Sequence, residues 1–353
     1  MNGPPPLVDP QALEAFLSEA VPGDGELVVQ RHQAGHSNET FFVARGGERW
    51  VLRRPPNGAF LPSAHDVGRE HRVMTGLAGT PVRVPRTILM CEDEAVIGAP
   101  FYLMERVDGV VIRDELPDWL DEPQRAAVGW ELVDGLVELH SVEPESCGLG
   151  GFGRPTGYLE RQLRRWKGQM ELTLPFTRPL PDLESIGRWL EEHRPEGGDT
   201  TLVHGDYKLD NVVFADGPPP RLIAILDWEM STLGDPLADL GWMVSFWRER
   251  GEDEPAAASA GAKQHDLFSR TSQVTALPGF QSRAELVERY ASQTGRDVSD
   301  LRWYTVLAVW KLAILLEGSY ARHLAGMTDD PFFAEMEHGV PALAAKALEV
   351  AES

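Results

Sequence analysis

Between positions 201 and 240 the chain reads TLVHGDYKLDNVVF, then a short proline-rich turn, then LIAILDWEMSTLGDPLADL. Two apolar, β-rich runs, 201–203 and 222–226, each deliver a carboxylate at their end: Asp206 just after the first, Asp227 at the tip of the second. Asn211 lies five positions beyond Asp206. Turn chemistry accounts for a polar turn at Asp206 and Asn211 and for a cap at Asp227, but not for paired strand ends. An acid, an amide and a second acid are what a phosphoryl-transfer site needs. One carboxylate orients an attacking hydroxyl and accepts its proton, while the amide oxygen and the other carboxylate hold magnesium against phosphates.

The spacing is that of two kinase segments. His204-Gly205-Asp206 with Asn211, then Asp227-Trp228-Glu229, follow the offsets of H-R-D-x-x-x-x-N and D-F-G. The H-G-D form, with Gly234-Asp235-Pro236 running into Asp239-Leu240, resembles the aminoglycoside phosphotransferase family. Tyr158-Leu159-Glu160-Arg161-Gln162 with Trp166, the run from Trp228 to Leu233, Glu288-Arg289-Tyr290 and Leu316-Glu317-Gly318-Ser319-Tyr320 are similar to the branch of that family fused to acyl-CoA dehydrogenases in animals. The resemblance covers nearly the whole chain. It implies an α+β, two-lobed protein-kinase-like fold, with a small β-rich N-terminal lobe over 1–106 and a larger helical lobe over 107–353. It also implies ATP- and Mg2+-dependent transfer of the γ-phosphate to a hydroxyl of a small molecule. Carried over by position, Asp206 is the catalytic base, and Asn211 and Asp227 are magnesium ligands. His204 and Gly205 shape the loop, Asp239 anchors it by hydrogen bonds, and Asp235 makes a turn before Pro236.

At 353 residues there is chain enough for two cores. The net charge of −22 argues against nucleic acid or an anionic membrane as partner, since both need exposed basic patches. Cys91 and Cys147 are far apart and lack metal-ligand spacing, which reads as reduced thiols. The first residues, MNGPPPLVDP, lack the charged and apolar regions of a signal peptide. The longest apolar run, 306–316, is interrupted by Lys311 and too short to span a bilayer. A cytoplasmic protein, monomeric or homodimeric, is expected.

Periodicity predicts a helix over 10–20, strands over 26–30, 40–44 and 49–53, a helix over 66–77, and strands over 87–92 and 101–106. After 107 the pattern turns helical: 122–140, 158–172, 183–193, 284–293 and 301–321. The stretch 249–266 is charged and alanine-rich and reads as a loop over the site.

On the nucleotide side, the turn Gly35-His36-Ser37-Asn38 lies where kinases place a loop over phosphates; Ser37 and Asn38 are candidate phosphate contacts. Arg53 stands at the position of the strand lysine that meets the α- and β-phosphates, with Arg54 beside it as an alternative and Glu70 as the expected ion-pair partner. Arginine in place of lysine is a departure, because its planar fork has a different reach. Glu105 and Arg106 close the strand at the hinge where an adenine edge would be read.

The acceptor stays open. Arg161, Arg164, Arg165 and Lys167 form a basic cluster on one helix; they read as a solvated face or as a receptor for an anionic acceptor such as a hydroxyacyl-CoA. Lys311, alone in an apolar helix, either pairs with a buried carboxylate or points into a cleft. Glu229 would suit a cationic acceptor, an aminoglycoside or amino-alcohol. Two rivals come from other classes: a nucleotide-binding pseudokinase without turnover, and a hydrolase using paired carboxylates without ATP.

Overall fold

Side-chain alternation decides the first part of the molecule. The computed structural model describes residues 7–21, 23–32, 38–56, 66–251, 273–328 and 331–352. These fall into two units, 1–109 with 223–231, and 110–222 with 232–353. Positions 35–37, with Ser37, and the span 252–266 of the expected loop lie outside the described residues.

In the first unit, β1 (Leu27–His32), β2 (Glu39–Arg45), β3 (Glu48–Arg54), β4 (Thr87–Cys91) and β5 (Phe101–Glu105) form an antiparallel sheet of order β1-β2-β3-β5-β4. β2 and β3 turn at Gly46-Gly47, where Gly46 takes φ +60° and a Cβ would meet the Asp24 carbonyl oxygen at 2.6 Å. Only glycine fits there. Phe41 pairs with Leu52 and Val43 with Trp50. These four sit with Phe101 and Leu103 in one core against α1 (Pro10–Ala20), which contributes Leu13 and Leu17. Asp9 caps α1 by accepting from Gln11 N at 2.9 Å. Burial of each leucine is worth about 1.5–3 kcal/mol.

Because strand side chains alternate, Arg53 stands on the face opposite Leu52, directly across from Tyr102. Against that face lies α2 (Val67–Leu77), capped by Asp66 through Arg69 N at 3.0 Å. Its buried stripe is Val67, Glu70, Val73, Met74 and Leu77. Glu70 therefore occupies a helical core position, a costly place for a carboxylate unless it is partnered.

The second unit is helical: α3 (Glu122–His140), α4 (Tyr158–Thr173), α5 (Pro181–Glu192), α6 (Leu237–Ser245), α7 (Arg283–Thr294), α8 (Leu301–Leu324) and α9 (Met336–Glu352). Nearly every turn of α8 is buried all round, as befits a central helix, and α4, α5, α6 and α9 pack on it. Gly241 lets α6 approach closely; a Cβ there would stand 2.8 Å from the Tyr304 backbone. β6 (Thr201–Val203) pairs antiparallel with β9 (Thr232–Gly234). Between them in sequence come β7 (Val212–Phe214), in the second unit, and β8 (Leu222–Ile225), which falls mostly in the first.

The predicted elements are present, with ends set by local chemistry. β1 runs on to His32 because it pairs with Thr40. α5 starts earlier, with Pro181 in its first turn. A capping box between Ser282 and Glu285 starts α7 at Arg283. The helices α6 and α9 were not anticipated; α6 is hidden in a motif read as a turn. Cys91 and Cys147 are free thiols, and among the described residues no helix is long and apolar enough to cross a membrane.

Candidate functional site

In the second unit the chain leaves β6 and turns at Gly205, φ +85°. Asp239, on α6, pins this turn by accepting from His204 N at 2.6 Å and Gly205 N at 2.7 Å. Asp239 is itself buried, and His140 Nε2 lies 3.3 Å away; His140 Nδ1 meets the Tyr290 hydroxyl at 2.8 Å. Burial alone pushes the Asp239 carboxyl up, but hydrogen bonding from His140 and the nearby His204 bring it below the usual carboxylate range. His204 is fully buried and its Nδ1 accepts from Asp206 N at 3.2 Å, a loop-shaping position.

Asp206 emerges from this anchored turn with its carboxylate surrounded by donors. Lys208 Nζ reaches both oxygens at 2.9 Å, Asn211 Nδ2 reaches Oδ2 at 2.7 Å, and Trp242 Nε1 reaches Oδ1 at 2.7 Å. Asn211 also donates to the Asp206 carbonyl at 2.8 Å, closing the loop on itself. Hydrogen bonds to a charged group are worth about 1.5–3 kcal/mol each, so the carboxylate has a fixed orientation. Burial raises its pKa; Lys208, then Lys311 and His204, outweigh that and hold it below the ordinary value. An ionised, oriented acid is a proton acceptor in waiting.

Lys311 projects from α8 to the same turn. Its Nζ donates to the Gly205 carbonyl at 2.6 Å and stands 4.1 Å from the Trp242 ring centre and 5.7 Å from that of Trp166. Burial lowers its pKa to about 8, against the pull of Asp206 and Asp239. The sequence offered a carboxylate or a cleft as its partner; a backbone carbonyl takes that place.

In the first unit, Glu70 is the hub. It accepts from Arg53 Nη2 at 3.2 Å, from Tyr102 Oη at 2.7 Å and from Asn38 Nδ2. Arg53 Nη2 also reaches Asp227 Oδ1 at 3.1 Å. Burial pulls the Arg53 pKa down, yet Glu70 above all, with Tyr102, Asp227 and Glu229, raises it well above the usual value. Arg53 Nε is a buried donor without an acceptor among the described residues. An orphan donor next to a fixed cation fits a phosphate oxygen. Arg54 is buried on the core face and donates to the carbonyls of Leu7, Ile97 and Pro55. Asp227 has φ +65°, the only positive value for a non-glycine among the described residues. Such backbone strain gathers at working residues.

The other expected residues have local partners. The Glu105 carboxylate accepts from Arg86 N at 2.9 Å, and the Arg106 guanidinium stacks 4.2 Å over Phe42. The N–H groups of Glu105 and Arg106 go to the carbonyls of Arg86 and Arg49. In the basic cluster, Arg161 bonds the Thr156 and Arg154 carbonyls, Arg164 pairs with Glu160, Lys167 pairs with Glu191, and Arg165 stacks on Trp166. That helix face is satisfied by its own neighbours. Asp235 does more than turn the chain: its buried carboxylate accepts from Gly198 N, Leu237 N and Tyr304 Oη.

Sequence reasoning missed Lys208, Trp242 and Tyr102. The Lys208 signal was available, since side chains two apart in an extended loop share a face. Trp242 follows Asp239 by three positions on a helix, again one face, once α6 is recognised.

The match to known proteins follows the same lines. The model of the phosphotransferase enzyme family (APH) matches residues 28–273. A solved structure from Ralstonia eutropha, named provisionally as an aminoglycoside phosphotransferase, is 33% identical, covers 98% of both chains and has a TM-score of 0.78. The GDP complex of aminoglycoside 2'-phosphotransferase-IIIa shares the fold at 14% identity, over 96% of this chain and 99% of that one, with a TM-score of 0.62. Acyl-CoA dehydrogenase family member 11 of Rattus norvegicus is 34% identical over 90% of this chain but 40% of its own length; the Gallus gallus protein is 33% identical over 98% and 44%. The chain thus spans less than half of those relatives. The fold is an α+β protein-kinase-like one, with an antiparallel sheet in its N-terminal part and helices in its C-terminal part. The chain belongs to the phosphotransferase enzyme family, and on that ground it is a small-molecule phosphotransferase.

Proposed function

We propose that the chain uses Mg-ATP to phosphorylate a hydroxyl group on a small molecule. Asp206 orients the hydroxyl and takes its proton as the oxygen bonds to the γ-phosphorus and the bridging bond to ADP breaks. Arg53, held by Glu70, steadies the α- and β-phosphates, with Ser37 and Asn38 in the phosphate loop. The adenine lies at the strand exit of Glu105 and Arg106. Asn211 and Asp227 would hold the magnesium. Their amide and carboxylate oxygens are hard donors, and this ion takes one or two carboxylates with phosphate oxygens and water rather than a full protein cage. Bound there, it would neutralise charge on the phosphates. The observation that carries this reading is the Asp206 carboxylate, fixed by Lys208, Asn211 and Trp242 on a turn pinned by Asp239. That arrangement supports turnover over a silent nucleotide-binding role, and its cations would be misplaced in a hydrolase built on paired acids. A cytoplasmic setting goes with this reading.

For the acceptor we favour an anionic hydroxy compound, of the hydroxyacyl-CoA kind. Lys208 and Lys311 flank Asp206, which would repel a polycation, and the curated relatives carry acyl-CoA dehydrogenase names. A cationic acceptor is the second reading, supported by the name of the Ralstonia relative. Incubating the protein with γ-labelled ATP and a small-molecule extract tests both. The expected result is a labelled anionic product, absent with Asp206→Asn. Label on an amine-bearing product would favour the second reading, and label independent of Asp206 would discard the site.

A further inference from the structure

We propose that Lys311 is the positioning residue for Asp206: it ties α8 to the peptide that enters Asp206 and lays its charge on the indole that holds the Asp206 carboxylate. The inference rests on the reading of Asp206 as the base, and goes beyond it by assigning a residue that lies outside the kinase-like motifs.

Two contacts carry it. Nζ donates to the Gly205 carbonyl at 2.6 Å, which fixes the plane of the Gly205–Asp206 peptide from below. The same ammonium stands 4.1 Å from the Trp242 ring centre, while Trp242 Nε1 donates to Asp206 Oδ1 at 2.7 Å. A cation on an indole face draws π-density toward itself. That leaves the ring N–H more acidic and a better donor to the carboxylate. Backbone and side chain of one residue are thus both set by one lysine, 105 positions away in the chain (311 − 206).

Packing alone does not explain a lysine here. The ammonium is buried in the apolar stretch 306–316 of α8 and its hydrogen-bond partner is a carbonyl, not a carboxylate. An apolar side chain of similar length would fill the space beside Trp166 and Trp242. It would, however, leave the Gly205 carbonyl without this donor and take a cation from beside Asp206 and Asp239, which costs stability as well. Its carbonyl partner and the nearer of its two indoles both lead to Asp206.

The test compares wild type, Lys311→Met and Lys311→Arg. The first readout is hydrogen exchange of the amides at 204–206. In Lys311→Met they should exchange about tenfold faster or more, beyond any change at α3 and α7, which reports the fall in global stability. The second is ADP release from Mg-ATP with water as acceptor. In Lys311→Met kcat should fall by about 100-fold, with KM for Mg-ATP within about twofold, and Lys311→Arg should recover part of the loss. Unchanged exchange at 204–206 overturns the proposal, as does a kcat that falls only in proportion to lost folded protein. Should wild type neither bind Mg-ATP nor release ADP, the phosphotransferase reading of Asp206 falls by itself. The exchange data then still decide whether Lys311 holds the turn.

Discussion

The two polar clusters are built on opposite plans. Around Asp206 a carboxylate is gripped by donors, Lys208, Asn211 and Trp242 on its oxygens, on a turn whose backbone is held by Asp239 at His204 and Gly205 and by Lys311 at the Gly205 carbonyl. Around Glu70 the gripped acid is buried scaffolding, and the groups left to act are its partners. Arg53 Nε has no partner among the described residues, and Asp227 is 31% exposed in a strained backbone conformation. On the proposed reading, one cluster orients a reacting group and the other loads a cation and presents it. The lesson is that burial does not mark the working residue. The placement of spare bonding capacity does.

Substitutions can break this contrast. The largest effect expected is on turnover: Asp206→Asn should lower kcat by about 10²–10⁴-fold, the usual worth of a general base, in a steady-state ADP-release assay. Some stability should be lost too, because the amide keeps an acceptor for Trp242 but turns its N–H groups toward Lys208 and Asn211, so kcat is read per folded protein. On the other side, Glu70→Ala should cost about 3–5 kcal/mol of stability, the penalty for stripping the partner from a buried charge, read as a drop in the urea midpoint. Catalysis should suffer there only through lost folding and nucleotide binding. Arg53→Lys is milder. The ion pair to Glu70 survives, and KM for Mg-ATP should rise by less than about tenfold, measured by the same assay. The smallest effect belongs to Arg164→Ala, which removes an exposed i,i+4 pair with Glu160. Thermal unfolding should move by about 0.5 kcal/mol or less, and ADP release should not change. A large loss of turnover in that last variant would reopen the basic helix as an acceptor surface.

What the sequence made legible was whatever is local. The two acids at strand ends, the amide five positions on, and the helical and strand periods all sit within one window of chain. The choice between Arg53 and Arg54 was harder, because Val51 is apolar too and blurs the alternation of Trp50 and Leu52. Pairing with β2 and β5 gives the faces: Trp50, Leu52 and Arg54 are buried on the core side, and Arg53 faces Tyr102. Contacts that join distant segments were out of reach. Nothing near Lys311 in the chain announces the Gly205 carbonyl, whereas the Arg164–Glu160 pair is an i,i+4 contact within its own helix. α6 was missed because Gly234-Asp235-Pro236 reads as a turn, and its helix is only nine residues long.

The central claim is a division of labour, with Asp206 serving the chemistry and Asp227 the nucleotide. Calorimetric titration of Mg-ATP into wild type, Asp206→Asn and Asp227→Ala tests it most directly. The account predicts that Asp206→Asn binds like wild type and that Asp227→Ala loses the magnesium-dependent part of binding. Equal loss in both variants, or wild-type affinity in Asp227→Ala, would contradict it.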